Sequence, residues 1–325
     1  MKVLVKGAGV AGLALAFELS RRGADVIVVE KNRDLAGSAS WLAGGMLAPW
    51  CERENAEEAV LTLGQKCIGW WSNVLPREVT LKGTLVVAPP RDTGELNRFA
   101  ARTSGFDWMK GEEISALEPD LGGRFSKALF FSREAHLDPR KALEGLKARL
   151  IESGVRFIFE TETVSGETDF VADCTGMAAR DTDLRGVRGE MLILHAPDVT
   201  LSRPVRMLHP RIPVYIVPRD DKRFMVGATM IESGDDGPVS VRSTMELLNA
   251  AYSLHPGFAE AKIVETGTGV RPAYFDNLPR ARLSGQRLTL NGFYRHGFLL
   301  APHFADEAAD MIIPLSKETA LEAHH

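Results

Sequence analysis

The apolar positions of the first thirty residues follow two different periods. Residues 3–5 form a short apolar run, residues 13–22 carry apolar side chains at helical spacing, and residues 26–29 form an unbroken apolar run. Unbroken runs rich in β-branched residues are typical of parallel strands that are buried on both faces. The pattern therefore predicts a strand, a helix that ends at Gly23, and a second strand.

The same succession of strands and helices recurs later in the chain. Asp138 and Pro139 occupy the N-cap and first-turn positions of one predicted helix, where these residue types are favoured. Pro76 ends another. The predicted elements are strands over residues 83–90, 155–159, 170–174 and 287–290, and helices over residues 56–75, 139–153 and 300–312.

Between about residues 189 and 266 the pattern changes. The segments EMLILHA, VYIVPR and RFMVGATM have the composition of strands, and short turns separate them without intervening helices. This spacing favours an antiparallel sheet, interrupted by one helix over residues 241–253. The sequence thus predicts an α/β fold with an α+β second domain, in which a Rossmann-like βαβ domain is interleaved with an antiparallel-sheet domain.

Composition narrows the functional classes. The 325 residues are 45% hydrophobic and 25% charged, with a formal charge of −4 and no dense Lys/Arg run, which argues against a nucleic-acid-binding protein. The three cysteines are odd in number and widely spaced, without a CxxC pair or a zinc-ligand spacing. This usage favours a reducing, cytoplasmic location and predicts no metal site.

The N-terminal segment loosely resembles a signal peptide, because lysines flank an apolar run that contains small residues. Three glycines at regular spacing within that run favour instead a tight turn between a strand and a helix. Elsewhere in the sequence, apolar runs fall short of the roughly 20 residues that a membrane span needs. We therefore expect no membrane association.

The segment GAGVAG supplies Gly7, Gly9 and Gly12 directly between the first strand and the first helix. In this context the first glycine permits the tight turn, the second permits close approach to a pyrophosphate, and the third permits helix–strand packing. The helix N-terminus offers free N–H groups to phosphates. Glu30, at the end of the second strand, can accept hydrogen bonds from ribose hydroxyls. The motif predicts a dinucleotide, leaves FAD and NAD both open, and disfavours NADP.

Two later segments carry further candidate chemistry. GSASWLAGGMLAP (residues 37–49) is rich in small residues, so a flat ring can lie against its backbone. TGTGVRPAYFDNLP (residues 266–279) places Arg271 before Pro272 in a predicted turn. The planar guanidinium can bind a carboxylate through two hydrogen bonds, which fixes its orientation. The alternative is a structural ion pair between Arg271 and Asp276 or Glu265.

Taken in order, a set of segments spanning the chain resembles the D-amino-acid oxidase family of flavoproteins, and within it the glycine oxidases. These segments are the GAGVAG unit with Glu30, AGGMLAP, GTLVVAP, AHLDPR, DCTG, RGEML, VYIVPR, VGATM, GVRPAYFDNLP and FYRHGFLLAP. The nucleotide fingerprint is shared by many flavoproteins. The combination of RGEML, VYIVPR, VGATM and YRHGFLLAP is more specific.

The resemblance implies FAD and a division of the chain into two interleaved domains. The FAD-binding domain is expected to comprise residues 1–78, 138–188 and 272–325, and the substrate-binding domain residues 79–137 and 189–271. The FAD is expected to be non-covalent, because covalent relatives use a C-terminal cysteine and this chain has none after Cys174.

The resemblance also assigns residues to a site. Arg271, Tyr215 and Arg295 are expected to face the substrate. The residues expected to contact FAD are Gly7, Gly9, Val10, Ala11, Gly12, Glu30, Lys31, Ala43, Gly44, Gly45, Met46, Val164, Thr175, Gly176, Arg271, His296, Gly297, Phe298, Leu299 and Leu300.

The implied function is oxidative deamination of glycine, sarcosine or a small D-amino acid. FAD accepts a hydride, O₂ is reduced to H₂O₂, and the pathway is that of the thiamine thiazole. A dehydrogenase of the same fold that passes electrons to a quinone or carrier remains an alternative. An NAD-dependent dehydrogenase and a non-catalytic nucleotide-binding module are weaker ones. The expected partners are a small amino acid, O₂ and further copies of the chain in a homo-oligomer.

Overall fold

Two large β-sheets dominate the computed structural model, which describes residues 1–208 and 214–313. His324 and His325 lie outside the described residues. The strands are β1 (Lys2–Lys6), β2 (Asp25–Glu30), β3 (Met46–Leu47), β4 (Thr84–Val87), β5 (Asp107–Lys110), β6 (Lys127–Phe131), β7 (Ala135–His136), β8 (Arg156–Phe159), β9 (Phe170–Asp173), β10 (Arg185–His195), β11 (Val205–Met207), β12 (Val214–Pro218), β13 (Arg223–Gly227), β14 (Ile231–Glu232), β15 (Lys262–Ala273), β16 (Arg280–Ser284) and β17 (Arg287–Asn291).

The helices connect and cover these sheets. They are α1 (Val10–Arg21), α2 (Pro49–Glu52), α3 (Glu58–Gly64), α4 (Cys67–Val74), α5 (Gly94–Ala100), α6 (Gly111–Leu117), α7 (Pro139–Glu152), α8 (Val241–Leu254) and α9 (Gly297–Ile312). Within the described ranges, no helix combines the length and the apolar character that crossing a membrane requires.

The first sheet has the strand order β16-β17-β9-β1-β2-β8. β1 lies between β2 and β9, and all neighbours are parallel except β16, which pairs antiparallel with β17. Helix α1 packs against both α7 and α9. Val3, Val5, Val26 and Val28 are buried in the core between this sheet and these helices. The strand–helix–strand prediction for the N-terminus is therefore confirmed: the unbroken apolar runs are buried parallel strands.

The second sheet is antiparallel over most of its strands, and its two faces contact different parts of the molecule. Along β12, Val214 and Ile216 pack into a core that includes residues of α8, whereas Tyr215 and Val217 belong to a cluster on the other face. This strict alternation follows from the two-residue period of a strand. One face therefore makes a hydrophobic core, and the other is free to border a cavity. The mixed α/β fold class predicted from the pattern is confirmed.

Two local predictions were wrong. The single helix predicted over residues 56–75 is two helices, α3 and α4, because the chain turns between them so that both contact α9. Gly64 ends α3 where its missing side chain lets Leu299 approach: an added Cβ would lie 2.9 Å from Leu299 side-chain atoms.

The division of the chain into two domains at the expected boundaries stays a prediction.

The second wrong prediction concerns the segment that carries Arg271. It is not a turn but the end of β15, where Arg271 pairs with Val187 and Pro272 with Gly186 of β10. Proline is tolerated there because β15 lies outside the main strand path of its sheet, with β10 as its strand partner, so no further ladder needs the missing N–H. The arginine is held by a long antiparallel pairing rather than by a stiffened loop.

Trp71 tests how strongly α4 anchors α9. Its ring is fully buried, and its indole N–H donates to the carbonyl oxygen of Phe298 at 2.8 Å. Replacing Trp71 with alanine should lower the free energy of unfolding by about 3–5 kcal/mol, because it leaves a cavity and an unpaired carbonyl. Denaturant titration of the apoprotein measures this.

Trp108 provides the matched control, since it is 40% exposed on β5. Trp108→Ala should cost less than about 1 kcal/mol. Equal losses from the two substitutions would contradict the anchoring role of Trp71.

Candidate active site

A cavity of about 700 Å³ lies between the two sheets, and both sheets contribute to its wall. This volume is within the range of cofactor and ligand sites. Most of the residues predicted to contact a cofactor line it: Gly7, Gly9, Val10, Ala11, Glu30, Lys31, Ala43, Gly44, Gly45, Met46, Thr175, Gly176, Arg271, His296, Gly297, Phe298 and Leu299. The three predicted substrate residues, Tyr215, Arg271 and Arg295, line it as well.

Three of the predicted cofactor contacts do not line the cavity. Gly12 lies under the β1–α1 turn, where an added Cβ would stand 1.9 Å from the carbonyl oxygen of Gly7. The side chain of Val164, which was expected to contact the adenine through its backbone, packs against the cluster of Leu4 and Ile27. Leu300 is fully buried one turn into α9, and its N–H bonds to His296. Gly12 thus serves the helix–strand packing that its motif position requires.

The turn between β1 and α1 leaves no room for side chains. Gly7 has φ of +95°, and a Cβ there would lie 2.7 Å from the carbonyl oxygen of Cys174. The N–H of Val10, at the start of α1, donates to Oγ of Ser40 at 3.1 Å. Ser40 and its neighbours therefore complete this end of the cavity. Sequence reasoning missed Ser40 because the glycines of residues 37–49 were the only signal it used.

Glu30 ties the turn to the end of β2. Its Oε2 accepts from the N–H of Ala8 at 2.9 Å, and its Oε1 accepts from the N–H of Asn32 at 3.0 Å and from Nδ2 of Asn32 at 2.7 Å. Glu30 is only 7% exposed, and it lines the cavity. Asn32, another residue that sequence reasoning did not single out, also lines the cavity.

Two helices begin at the cavity wall. Neither N-cap residue, Gly9 of α1 or His296 of α9, caps its helix with its own side chain. At α1 the first N–H, that of Val10, donates to Ser40. Gly297, Phe298 and Leu299 open α9 and line the cavity. The first N–H groups of a helix lack intrahelical acceptors and lie at the positive end of its dipole. The cavity therefore has two separate regions that favour negative charge.

Arg271 lies beside Tyr215 in the cavity wall. One of its hydrogen bonds runs from Nη1 to the carbonyl oxygen of Thr229 at 3.1 Å. The acids proposed as structural partners bind elsewhere: Asp276 pairs with Arg280, and Glu265 pairs with Arg140. Among the described residues no carboxylate lies within 4.0 Å of its guanidinium.

The guanidinium of Arg271 also lies directly over Gly189. A Cβ on Gly189 would stand 2.1 Å from Nη2 of Arg271, so a side chain at this position of β10 would displace the guanidinium. Burial lowers the pKa of Arg271, and Arg295 acts in the same direction, against Tyr215, Tyr294 and Glu52. An arginine stays protonated at neutral pH despite such a shift. The cavity thus contains a cation whose charge is open to a ligand.

Arg295 differs from Arg271 because a carboxylate neutralises it. Its Nε donates to Oε2 of Glu52 at 2.7 Å, and Nη2 donates to the same oxygen. Burial raises the pKa of Glu52, but Arg295, His296 and Arg206 outweigh it and hold that pKa at about 2. Glu52 and Arg206 were missed by sequence reasoning, since an acid in WCERE and an arginine in a β-strand carry no local signal.

His296 is buried and stands close to the same acid. Its Nδ1 lies 3.5 Å from Oε2 of Glu52 and has no hydrogen-bond partner among the described residues. Burial lowers the pKa of His296 to about 4, and Arg295 and Arg271 add to that effect against Glu52. The ring is therefore neutral above about pH 5.

The segment from Ala43 to Met46 lines the cavity. Gly44 lies against the ring of Tyr215, where a Cβ would stand 2.7 Å from Cε2. Gly45 has φ of +71°, and a Cβ there would stand 2.2 Å from the carbonyl oxygen of Leu137. Both glycines are thus required by close contacts on opposite sides. The interpretation of this segment as a backbone surface agrees with its position.

All three cysteines are free and buried. Burial raises the pKa of each thiol well above its usual range. Cys174 lines the cavity at the end of β9, and Cys51 lies in α2 beside Arg206. Neutral buried thiols of this kind are unreactive.

Comparison with known proteins assigns the family. The family model described as FAD dependent oxidoreductase, DAO, matches residues 2–311. The chain is 59% identical over 319 residues to a candidate thiamine biosynthesis oxidoreductase ThiO from Rhizobium etli, covering 96% of this chain and 97% of that protein.

Solved structures share the fold. The glycine oxidase of Geobacillus kaustophilus superposes with a TM-score of 0.81 at 22% identity, covering 95% of this chain and 94% of that one. The iminodiacetate oxidase of Chelativorans sp. BNC1 superposes with a TM-score of 0.83 at 23% identity, covering 97% and 96%. The resemblance drawn from the sequence motifs is confirmed, and this chain belongs to the DAO family of FAD dependent oxidoreductases.

Proposed function

We propose that this protein oxidises glycine and other small amino acids, transferring a hydride equivalent to FAD and then electrons to O₂. The products are H₂O₂ and an imine, which water converts to a keto acid and ammonia, or methylamine when the substrate is sarcosine. The observation that carries the proposal is the unneutralised guanidinium of Arg271 beside Tyr215 in a cofactor-sized cavity. The 59% identity to a candidate ThiO and the fold shared with a glycine oxidase support it.

The residues of the cavity fit FAD. Gly7 permits a turn that a side chain would block, and the positive ends of the α1 and α9 helix dipoles suit the pyrophosphate and the electron-rich end of the ring. Glu30 lines the cavity, where a ribose can donate to it. When bound, FAD supplies the two-electron acceptor of the reaction. The buried cysteines support a non-covalent association.

Arg271 and Tyr215 are proposed to bind the substrate carboxylate. A guanidinium can hold both carboxylate oxygens and the phenol can donate one more hydrogen bond, so the orientation of Cα is fixed along with its position. Arg295 contributes less net charge because Glu52 already pairs with it. Of these two arginines, Arg271 is thus the one left for the substrate.

The space beyond these groups supports a small substrate. A side chamber of about 10 Å³ is lined by Arg206, Tyr215, Ala228, Met230, Arg271 and Arg295. That volume holds about one water molecule. A methyl-sized substituent of a substrate fits such a space, whereas a bulky side chain requires the wall to move.

The proposed reaction needs no protein base to remove a proton from the substrate amine. His296 is neutral, but the pKa of about 4 makes it a weak acceptor. Arg271, which has no acid partner among the described residues, disfavours a bound ammonium through charge repulsion. The amine is therefore proposed to react in its neutral form.

Three further features belong to the same proposal. A role in thiamine biosynthesis is supported by the relative at 59% identity. A cytoplasmic location is supported by the free, buried cysteines. Assembly into a homo-oligomer comes from the family resemblance.

The spectrum and the product test the proposal directly. Purified protein should be yellow, with the absorption of bound flavin, and should release that flavin on denaturation. With glycine, D-alanine or sarcosine in air it should form one H₂O₂ per keto acid. Reduction of an artificial electron acceptor without peroxide would instead favour the dehydrogenase, and protein without any affinity for FAD would exclude both.

Arg271→Ala should raise KM for glycine at least tenfold while FAD stays bound, because the carboxylate loses its paired cation. Steady-state kinetics with a parallel flavin spectrum measure the two effects. Arg282→Ala is the control, since Arg282 is 48% exposed and pairs with Asp181 and Asp183 outside the cavity. Unchanged KM in the Arg271 variant would remove this residue from substrate binding.

The pH profile tests the assignment of the proton. kcat/KM should rise from about pH 6 to pH 9 as the substrate amine loses its proton. His296, with its pKa lowered to about 4, changes charge only below this window. His296→Gln should therefore preserve the shape of the profile. A limb near the ordinary histidine pKa of 6.5 that disappears in the variant would show that His296 titrates as a base.

A further inference from the structure

Arg219 lies behind the Ala43–Met46 segment and outside the cavity. It follows β12, four residues after Tyr215, and its side chain is only 9% exposed. Nη2 donates to the carbonyl oxygen of Gly44 at 2.8 Å and lies 3.4 Å from that of Ala43. Its nearest acid is Asp138, with Nε 3.6 Å from Oδ2. A buried cation is thus directed mainly at two successive peptide carbonyls.

These contacts fix the direction of two N–H groups. Cis peptide bonds among the described residues are confined to Gly227–Ala228, so the peptides of residues 43–45 are trans. In a trans peptide the N–H points opposite to the C=O. Because the carbonyls of Ala43 and Gly44 face Arg219, the N–H groups of Gly44 and Gly45 face away from it. Neither has an acceptor among the described residues.

The cavity lies on the side toward which these groups point. Gly44 and Gly45 both line it, whereas Arg219 does not. Consecutive N–H groups directed at one region form a concave donor site for electron-rich atoms. The two glycines are also held against Tyr215 and against Leu137, whose N–H donates to the carbonyl oxygen of Gly45 at 2.9 Å. Tyr215 lies in β12 and Arg219 directly follows it, so the same part of the chain positions both the tyrosine ring and the backbone donors.

We propose that Arg219 is a positioning residue that turns the Gly44 and Gly45 N–H groups toward the flavin ring and aligns that ring with Tyr215. The inference rests on the proposed function, because it requires FAD in the cavity. The N–H groups then stabilise negative charge that develops on the ring during reduction. Arg219 does not touch substrate or cofactor and acts only through the backbone of the Ala43–Met46 segment.

Arginine suits this task better than lysine. Its fork presents several N–H groups in fixed geometry, and here Nη1 also lies 3.4 Å from the carbonyl oxygen of Pro218. A lysine ammonium reaches the same region as a point charge and cannot hold two carbonyls in a fixed plane. Replacing Arg219 with lysine keeps the charge but not the fork geometry, whereas replacing it with methionine removes both. Comparing the two variants therefore distinguishes the effect of the charge from that of the geometry.

The experiment compares Arg219→Met and Arg219→Lys with Arg140→Met in the purified holoenzyme. Arg140 is the matched control, because its Nε donates to the carbonyl oxygen of Trp41 at 3.3 Å, two residues before Ala43, and its head group pairs with Glu265. The readouts are the dissociation constant of FAD, the visible spectrum of the bound flavin and its midpoint potential.

Arg219→Met should weaken FAD binding at least tenfold, shift the visible bands and move the potential to more negative values. Arg219→Lys should give an intermediate result, and Arg140→Met should stay within about twofold of the wild type. If Arg219→Met does not fold, Arg219→Lys carries the test, since it keeps the buried charge.

Wild-type spectrum, potential and FAD affinity in the Arg219 variants would overturn the inference and leave the proposed function standing. The same holds if Arg140→Met changes these quantities as much as Arg219→Met does. A wild-type protein that does not bind FAD would overturn the proposed function as well, so the two failures are distinguishable.

Discussion

The pairing of β10 with β15 is the constraint on which the candidate site depends. It holds Arg271 opposite Val187 and above Gly189, so the guanidinium stays in the cavity wall without a carboxylate partner among the described residues. A cation in this position costs desolvation energy that an ion pair would offset. The strand pairing keeps the arginine in place despite that cost, and the open charge is what a substrate carboxylate can neutralise.

The same pairing joins the two sheets. Ala273, at the end of β15, bridges to Phe293, and the N–H of Tyr294 donates to the carbonyl oxygen of Pro272 at 2.8 Å. Arg295 and His296 follow directly and lead into α9. The substrate-facing cation and the helix N-terminus proposed to lie at the flavin are thus separated by only a few hydrogen-bonded residues, so their relative position is well determined.

The two arginines of the site differ in charge compensation, because Arg295 has a carboxylate partner and Arg271 has none among the described residues. Glu52 holds Arg295 and stands near Arg206 and His296, and it is itself placed by α2, where the N–H of Cys51 donates to Oε1 of the buried Glu134 at 2.7 Å. The result is one cation with its own acid and one without. This asymmetry supports the assignment of Arg271, rather than Arg295, as the main carboxylate ligand.

The sequence by itself determined the local features. It was possible to predict the strand periods, the glycine fingerprint, the fold class and the resemblance to flavoproteins from the sequence. This is because backbone conformation and close packing at Gly7 and Gly12 demand particular residue types at short spacing. It also predicted Tyr215, Arg271 and Arg295 together, but only through the resemblance. The tertiary structure alone decided that Arg271 lies on a strand, that Glu52 neutralises Arg295, and that Arg219 holds Ala43 and Gly44. Each of these facts joins residues tens to hundreds of positions apart, and charge pairing across such distances depends on sheet register and burial, which leave no periodic signal in the chain.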